Sequence, residues 1–333
     1  MDLRSPALED LELSGSVLVT GAHGLLGSWL VKALHAGGVR VCVIRRDQAA
    51  RSALVEMGLE AEVDVVDGDV CDEALVARTL AEYEIGSVFH LAAQTIVPTA
   101  NHSPISTFET NIRGTWTVLE ACRQHGAERV IVASSDKAYG RHEQLPYREE
   151  FALHPTYPYD VSKAATDLIA RSYWHTWKLP VAVTRFANLY GGGDANPSRL
   201  VPEAITAALT GRRPVVRSDG SPERDFLYVE DAVAAYLAIW NALGDGAAAG
   251  EAFNAGGGTP HPVSDVVELI CRLAGTDLEP DIRGEGTPIG EIDRQWVDHS
   301  KLTELTGWKP RLSLKEGLGR AIEWYRSHPQ WLT

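Results

Sequence analysis

Tyr159 and Lys163 stand four residues apart in Tyr159-Asp-Val-Ser-Lys163, and Ser134-Ser-Asp-Lys137 lies upstream of them. Residues four apart on a helix share one face. A lysine beside a phenol stabilises the phenolate and lowers its pKa, so the tyrosine can act as a base near neutral pH. The upstream run adds a hydroxyl, a carboxylate and an amine. Together these groups describe an oxidoreductase-type site able to do more than move a hydride.

The elements that must hold these groups are readable from apolar runs and breakers. Strands are expected over residues 16–20, 39–44, 61–66, 87–91, 129–133 and 181–184, and helices over 25–36, 73–83, 105–125 and 158–177. Strands alternating with helices at this spacing imply βαβ units and an α/β fold with a parallel, doubly wound sheet. Such sheets bind ligands beyond the carboxyl ends of their strands, and the motifs fall at those ends. After about residue 186 glycines and prolines multiply, as in Gly191-Gly-Gly-Asp-Ala-Asn-Pro197, and a smaller mixed α/β lobe closing over a cleft is expected there.

The chain has 333 residues, 44% of them hydrophobic, enough for one large α/β domain or two fused lobes. Its 31 basic and 45 acidic residues leave a net charge of -14, which argues against broad nucleic-acid or anionic-membrane binding. Cys42, Cys71, Cys122 and Cys271 are scattered without metal-site spacing and read as reduced thiols, and no metal is expected. Residues 1–15 lack the layout of a signal peptide, and no apolar run approaches the roughly 18 residues that cross a bilayer. A cytoplasmic protein is the expectation. Trp174, Trp177, Trp240, Trp308 and Trp324 sit where core packing is expected.

Gly21-Ala-His-Gly24-Leu25-Leu26-Gly27 falls directly between the first strand and the first helix. Glycines there permit a tight turn and let backbone amides approach a pyrophosphate, to which the helix N-terminus adds partial positive charge. A dinucleotide cofactor is therefore expected on this turn. The second strand ends in Arg45-Arg46-Asp47. Arginines suit a 2′-phosphate, so NADP is favoured, with NAD the close alternative should Asp47 reach the ribose instead. Asp69 and Val70 follow the third strand and are placed to hold the adenine edge. His90 closes the fourth strand and reads as a satisfied core histidine, while Leu91, Ala92 and Ala93 are small enough for a cofactor to pass.

Further signatures are Asn111-Ile-Arg-Gly-Thr115, Arg185-Phe-Ala-Asn-Leu-Tyr-Gly191, Arg224-Asp-Phe-Leu-Tyr-Val-Glu-Asp231 and Phe253-Asn-Ala-Gly256. In this order, with the glycine turn and Tyr159-x-x-x-Lys163, they resemble the extended short-chain dehydrogenase/reductase superfamily (the NAD-dependent epimerase/dehydratase family) over about residues 15–328. Within it, Gly27-Ser-Trp-Leu30 and Ser135-Asp136-Lys137 are most similar to CDP-glucose 4,6-dehydratase-like nucleotide-sugar dehydratases. The resemblance implies a leader (1–14), a Rossmann dinucleotide-binding domain (15–185, with about 225–255 returning to it) and a nucleotide-sugar lobe (186–330). It also implies cofactor contacts from Asn111, Tyr159 and Lys163, and substrate contacts from Gln94, Ser135, Asn188, Arg199, Arg224 and Glu291.

The implied reaction is a 4,6-dehydration. Tyr159 takes the proton of the sugar 4-hydroxyl as hydride leaves C4, with Lys163 lowering the tyrosine pKa and Ser135 bonding the 4-oxygen. Asp136 protonates the departing 6-hydroxyl, Lys137 assists proton loss at C5, and hydride returned to C6 gives a 4-keto-6-deoxy sugar. A lysine base must be neutral, so Lys137 either has a lowered pKa or only stabilises an enolate. A nucleotide-sugar 4-epimerase or a uronic-acid decarboxylase shares Tyr159 and Lys163 without needing Asp136 and Lys137. A non-catalytic dinucleotide-binding sensor is the distant alternative. Relatives are often dimers joined through the two long helices, so a homodimer is expected.

Overall fold

Parallel strands covered on both faces should be mostly apolar, and the central strands here are, with polar residues chiefly at their ends. The computed structural model describes residues 16–48, 51–287 and 291–332, and the leader expected over 1–14 lies outside the described residues. One sheet contains β1 (Ser16–Thr20), β2 (Val41–Arg45), β3 (Asp64–Asp67), β4 (Ile85–His90), β5 (Arg129–Ala133), β6 (Val181–Phe186) and β7 (Ala252–Ala255). Their order is β7-β6-β5-β4-β1-β2-β3, with every neighbouring pair parallel. β1 and β6 are buried throughout, whereas edge strand β3 reads Asp-Val-Val-Asp and is partly exposed. Acidic ends on an edge discourage pairing with another chain.

Helices α1 (Leu25–Ala36), α2 (Glu73–Glu82), α3 (Gly114–His125), α4 (Pro158–Trp177) and α5 (Val229–Gly244) connect these strands. The period-2 alternation of the strands divides the core. Val17, Val19 and Ile131 pack with Leu30 and Leu34 of α1 and Leu237 and Trp240 of α5. Leu18, Val130 and Val132 pack on the opposite face with Val76 of α2, Val118 of α3 and Ala170 of α4. The fold is the doubly wound α/β class expected. Beyond β6 the chain makes short pairs: Asn188–Tyr190 with Phe226–Tyr228, Val215–Val216 with Asp281–Ile282, and Glu223–Arg224 between His261–Pro262 and Arg294–Gln295.

Three expected boundaries move for local reasons. β2 starts at Val41 rather than residue 39, because the Val39 amide bonds the Leu34 carbonyl and finishes α1. β3 starts at Asp64 because Leu59–Glu62 coils into a 3₁₀ turn. The helix expected over 105–125 is broken: Pro104–Phe108 leads into a wide π turn, Glu109–Arg113, before α3 begins. Such turns release backbone groups for other partners. Here the Asn111 carbonyl accepts from both Thr115 Oγ1 and Thr166 Oγ1. Of the tryptophans expected in the core, Trp240 and Trp308 are buried, but Trp177 at the end of α4 is 51% exposed.

Helix α4 carries the most informative pattern. Pro158 starts it, as suits a residue without an amide hydrogen. Its buried stripe is Tyr159, Ser162, Lys163, Thr166, Asp167 and Ala170, at the i, i+3, i+4, i+7, i+8, i+11 spacing of one helix face. That face is polar, so it needs partners rather than oil. Asp167 meets Arg185 of β6 in an ion pair whose side chains are 0% and 1% exposed, with Nε–Oδ2 at 2.7 Å and Nη2–Oδ1 at 3.0 Å. Removing one partner of a buried pair strands the other charge. Asp167→Asn should therefore lower stability by about 3–5 kcal/mol in chemical denaturation, and an unchanged midpoint would contradict that placement.

Candidate active site

The crevice opens where strand order reverses, between β1 and β4. Gly21 has φ +72°, and a Cβ on it would stand 2.7 Å from Ala92 N and 2.8 Å from the Leu91 carbonyl carbon. Any side chain at Gly27 would run into the Gly21 carbonyl. Turn, helix start and the loop after β4 thus touch backbone to backbone. Thr20 Oγ1 fastens them, accepting from Leu91 N and Ala92 N, both at 3.1 Å. Helix α1 begins after Gly24 with no side-chain cap, so the amides of Leu25 and Leu26 and their neighbours lie at an uncapped helix N-terminus. A glycine cradle with no room for a Cβ and an open 12-residue helix end fit a nicotinamide dinucleotide.

At the far end of β2, Arg45 is committed. Its Nε and Nη2 bond the two Asp67 oxygens at 2.6 and 3.0 Å, and Nη1 bonds Glu60 at 3.1 Å. Its hydrogen bonds to Asp67 and Glu60 push its pKa up. Arg46 donates to Asp47 at 2.6 Å. Asp69 accepts from Cys71 N at 2.9 Å, and Val70 is buried beneath it.

Ser135, Asp136 and Lys137 follow β5 in a single 3₁₀ turn, Asp136–Tyr139, for which Ser135 is the N-cap. Ser135 Oγ accepts from Lys137 N at 3.2 Å and donates to Asp136 Oδ1 at 3.1 Å. Asp136 is 3% exposed, and its Oδ2 has no hydrogen-bond partner. Burial pushes its pKa up to about 6, against the pull of Lys137, the Ser135 hydrogen bond and Arg224. It is an acid that can hold a proton in mildly acidic to neutral solution.

Tyr159 and Lys163 come from the first turns of α4. Burial pushes the Tyr159 phenol up to about 12; Arg199 and a Ser135 hydrogen bond oppose this, while Asp136 and Asp160 add to it. The sequence assigned that opposing part to Lys163. In the structure the Lys163 ammonium donates to the Ala133 carbonyl at 2.7 Å, and burial draws its pKa down to about 8. The cation acting most on Tyr159 is Arg199, held by Asp194 at 3.1 Å and reaching Thr95 at 3.5 Å.

Lys137 points across the cleft. Its Nζ lies 3.4 Å from Glu291 Oε2, and Arg224 Nη2 reaches the same oxygen at 3.1 Å. Burial alone would raise Glu291, but Lys137 and Arg224 outweigh it and hold the carboxyl below its ordinary value. The structure thereby brings together Ser135, Asp136, Lys137, Arg224 and Glu291, with Tyr159 and Arg199 alongside.

Other expected residues turn inward. Asn111 spends both amide hydrogens inside the protein, on Gln94 O at 3.1 Å and Ser162 Oγ at 2.8 Å, and accepts from Gln94 N at 2.7 Å. It steadies α4 rather than offering a donor to a cofactor. The Gln94 side chain folds back onto Ile96 and Thr107, so it faces its own loop and not the cleft. Asn188 donates to the Asp225 carbonyl at 3.1 Å. His90 bonds Thr20 at 2.9 Å and Thr115 at 3.2 Å, and burial with nearby Lys163 pushes it down to about 3, a neutral core histidine. Two site carboxyls were not foreseen. Burial pushes Asp160 up to about 6 and Asp225 up to about 7, and each also feels Asp136. No spacing rule marks them; only their burial does.

A cofactor cradle on β1 and a tyrosine–lysine helix packed on the end of β5 belong to a dinucleotide-dependent enzyme of the short-chain dehydrogenase/reductase type. The chain belongs to the NAD dependent epimerase/dehydratase family, which residues 17–256 match. It is 32% identical over 335 residues to the dTDP-glucose 4,6-dehydratase of Xanthomonas campestris pv. campestris, covering 95% of this chain and 94% of that one. Among solved structures it is similar to DesIV, a dTDP-glucose 4,6-dehydratase from Streptomyces venezuelae with NAD bound (TM-score 0.85, 29% identity, 96% and 100% of the two chains). It is also similar to the UDP-glucose 4-epimerase of Thermotoga maritima with UDP-glucose (TM-score 0.85, 29% identity, 94% and 99%).

Proposed function

We propose that this chain is a nucleotide-sugar 4,6-dehydratase, converting a nucleoside diphosphate hexose into its 4-keto-6-deoxy derivative. The observation that carries the reading is Asp136, a buried carboxyl with one free oxygen, tied by Ser135 into the same cluster as Tyr159. A 4-epimerase needs a base and a cofactor but no acid aimed at C6. The dTDP-glucose 4,6-dehydratases among the relatives support the same choice.

A nicotinamide dinucleotide held in the glycine cradle would supply the acceptor for the C4 hydride and its return to C6, so no external oxidant would be consumed. Tyr159 takes the 4-hydroxyl proton, and Ser135 bonds the 4-oxygen. A ketone at C4 makes the C5 proton acidic. Asp136 then gives its proton to the departing 6-hydroxyl. Lys137, ion-paired with Glu291, would stabilise the enolate while the Glu291 carboxylate takes the C5 proton and gives it back to C5 as hydride reaches C6. Gly21, Gly24, Leu25, Leu26 and Gly27 would hold the cofactor diphosphate, Asp69 and Val70 the adenine, Leu91, Ala92 and Ala93 the wall, and Lys163 the ribose. Arg199 and Arg224 would hold the substrate, with Glu291 setting Arg224, and Asn188 would offer it only the side-chain atoms left over from its bond to the Asp225 carbonyl. Residues 15–185 and about 225–255 would form the cofactor domain and the rest of 186–330 the substrate lobe.

The preference for NADP drawn from Arg45 and Arg46 gives way to NAD. Three carboxylates, Asp47, Glu60 and Asp67, engage the two arginines, leaving little positive charge for a 2′-phosphate. Asp67→Ala should free Arg45 and improve NADP affinity relative to NAD by about tenfold, the worth of one charge-assisted bond. Isothermal titration with both dinucleotides checks this, and an unchanged ratio would contradict the neutralisation of Arg45 by Asp67.

We further propose a homodimer in the cytoplasm. Ile105, Trp116, Leu168 and Trp177 are large apolar side chains exposed on the segments before and along α3 and α4, which supports an interface on these helices. All four cysteines are unpaired, which suits a reducing compartment, and no described helix is long and apolar enough to cross a membrane. A monomeric mass in sedimentation would remove the dimer.

The reaction is tested by mass spectrometry after incubation with dTDP-glucose, UDP-glucose and CDP-glucose. A product lighter by one water supports dehydration. Unchanged mass with an inverted C4 identifies an epimerase.

A further inference from the structure

The dehydration groups and the oxidation groups sit on different elements. Asp136 and Lys137 lie in the Asp136–Tyr139 turn after β5, while Tyr159 and Lys163 lie on α4, and Ser135, the N-cap ahead of the turn, serves the oxidation through the 4-oxygen. A reaction that uses both in sequence on one bound sugar needs them in fixed register. The structure has one connected buried network that supplies it.

Arg185 of β6 is the hub. On one side its fork closes on Asp167, one turn beyond Lys163 on the same face of α4, at 2.7 and 3.0 Å. On the other side Nη1 donates to Tyr139 Oη at 3.0 Å and to the Glu149 carbonyl at 3.1 Å. Tyr139 is the last residue of the Asp136–Tyr139 turn and is fully buried. Its hydroxyl donates onward to Asn254 Oδ1 at 2.8 Å, and Asn254 Nδ2 donates to the Tyr147 carbonyl at 3.0 Å. The circuit closes where Tyr147 Oη donates to the Gly140 carbonyl at 2.6 Å, directly after the turn. The Arg185 guanidinium also lies 5.0 Å from the Tyr139 ring centroid. Tyr147 lies within electrostatic reach of Asp136 and Arg224, and the bidentate ion pair at the β6 end is stiffer than packing alone.

We propose that Arg185 and Tyr139 are positioning residues that lock the Asp136–Lys137 turn to the Tyr159–Lys163 helix, so that elimination follows oxidation without rearrangement. The inference rests on the dehydratase reading. It predicts a selective defect: loosening the turn leaves C4 oxidation by α4 intact and slows loss of water.

Tyr139→Phe keeps the ring and removes the hydroxyl, while Arg185 retains Asp167 and Glu149. With dTDP-glucose, UDP-glucose or CDP-glucose, whichever the wild type dehydrates, the near-ultraviolet signal of C4 oxidation in a single turnover should stay within about twofold. Release of the water-depleted product should slow on the order of 10²-fold, the effect of a displacement near 1 Å. In the same variant, without substrate, amide exchange of residues 135–140 should quicken about tenfold while that of α4 is unchanged. Arg185→Lys, which keeps a charge for Asp167 but cannot span to Tyr139, should show the same split. Equal slowing of both steps, or wild-type elimination in Tyr139→Phe, would overturn the positioning role. A wild type that oxidises a sugar but releases no dehydrated product would instead overturn the dehydratase reading, and the two failures are told apart in one experiment.

Discussion

Tyr159→Phe should lower turnover by about 10³-fold, the worth of a general base placed on the reacting proton. The ring is buried and would stay so, since only the hydroxyl is lost. The cofactor cradle at Gly21 and Gly27 is built from the β1 turn and the loop after β4, remote from this substitution in the chain, so retained dinucleotide should be unchanged. The sign of the pH response follows from the environment. Burial pushes the phenol up to about 12, and Arg199 and Ser135 only partly offset it. The phenolate fraction, and with it the rate of C4 oxidation, should therefore rise with pH across the neutral range in the wild type. In the variant that slope should vanish. Single-turnover absorbance over a pH series checks both, and a variant retaining a tenth of the wild-type rate would remove Tyr159 from the chemistry.

Asp136→Asn should uncouple the two halves of the reaction. C4 oxidation should proceed, whereas loss of water should fall by about 10²–10³-fold for want of an acid. Burial pushes Asp136 up to about 6, so the donor form is present below that pH and declines as pH climbs through it. Elimination should thus weaken toward alkaline pH while oxidation strengthens, and kcat should pass through a maximum where the two limbs cross. The stability consequence has the same origin. A carboxyl whose pKa is raised by folding binds its proton more tightly in the native state, so the native state loses stability as pH rises from about 4 through about 6. Asp160, pushed up to about 6, and Asp225, pushed up to about 7, act in the same direction. Asp136→Asn should consequently be at least as stable as the wild type at pH 8 while being far less active. Denaturant midpoints at pH 5 and pH 8 check this; a variant less stable at pH 8 would contradict the assignment of a strained buried acid.

The sequence made the scaffold legible because continuous apolar strands such as Ser16–Thr20 and Arg129–Ala133 admit few other readings. Tyr159 and Lys163 announced their shared helix face by spacing alone. What spacing could not convey was which cation faces which group. Lys163 and Arg199 are both positively charged, but only the folded chain places Lys163 on the Ala133 carbonyl and Arg199 near the phenol. Likewise Gln94 and Asn111 look like ligand donors until their amides are found bonded to Ile96, Thr107 and Ser162. Arg45 looks like a phosphate clamp until Glu60 and Asp67, distant in the chain, neutralise it. Asp167 and Tyr139 were invisible, and Arg185 stood in a signature without an assigned role, for the opposite reason. Each is a polar residue whose partner lies on another element, and no local pattern distinguishes a buried network from a solvated surface.

The most direct test of the account follows one atom. The enzyme is given a nucleoside diphosphate glucose, such as dTDP-glucose, carrying deuterium at C4, and the product is read by mass spectrometry and proton NMR. A dehydratase built on Tyr159 for C4 and on Asp136 and Lys137 for C5 and C6 predicts a product lighter by one water that keeps the deuterium, now on the C6 methyl. Deuterium still at C4 with the mass unchanged, or no conversion of any nucleotide sugar, would contradict it.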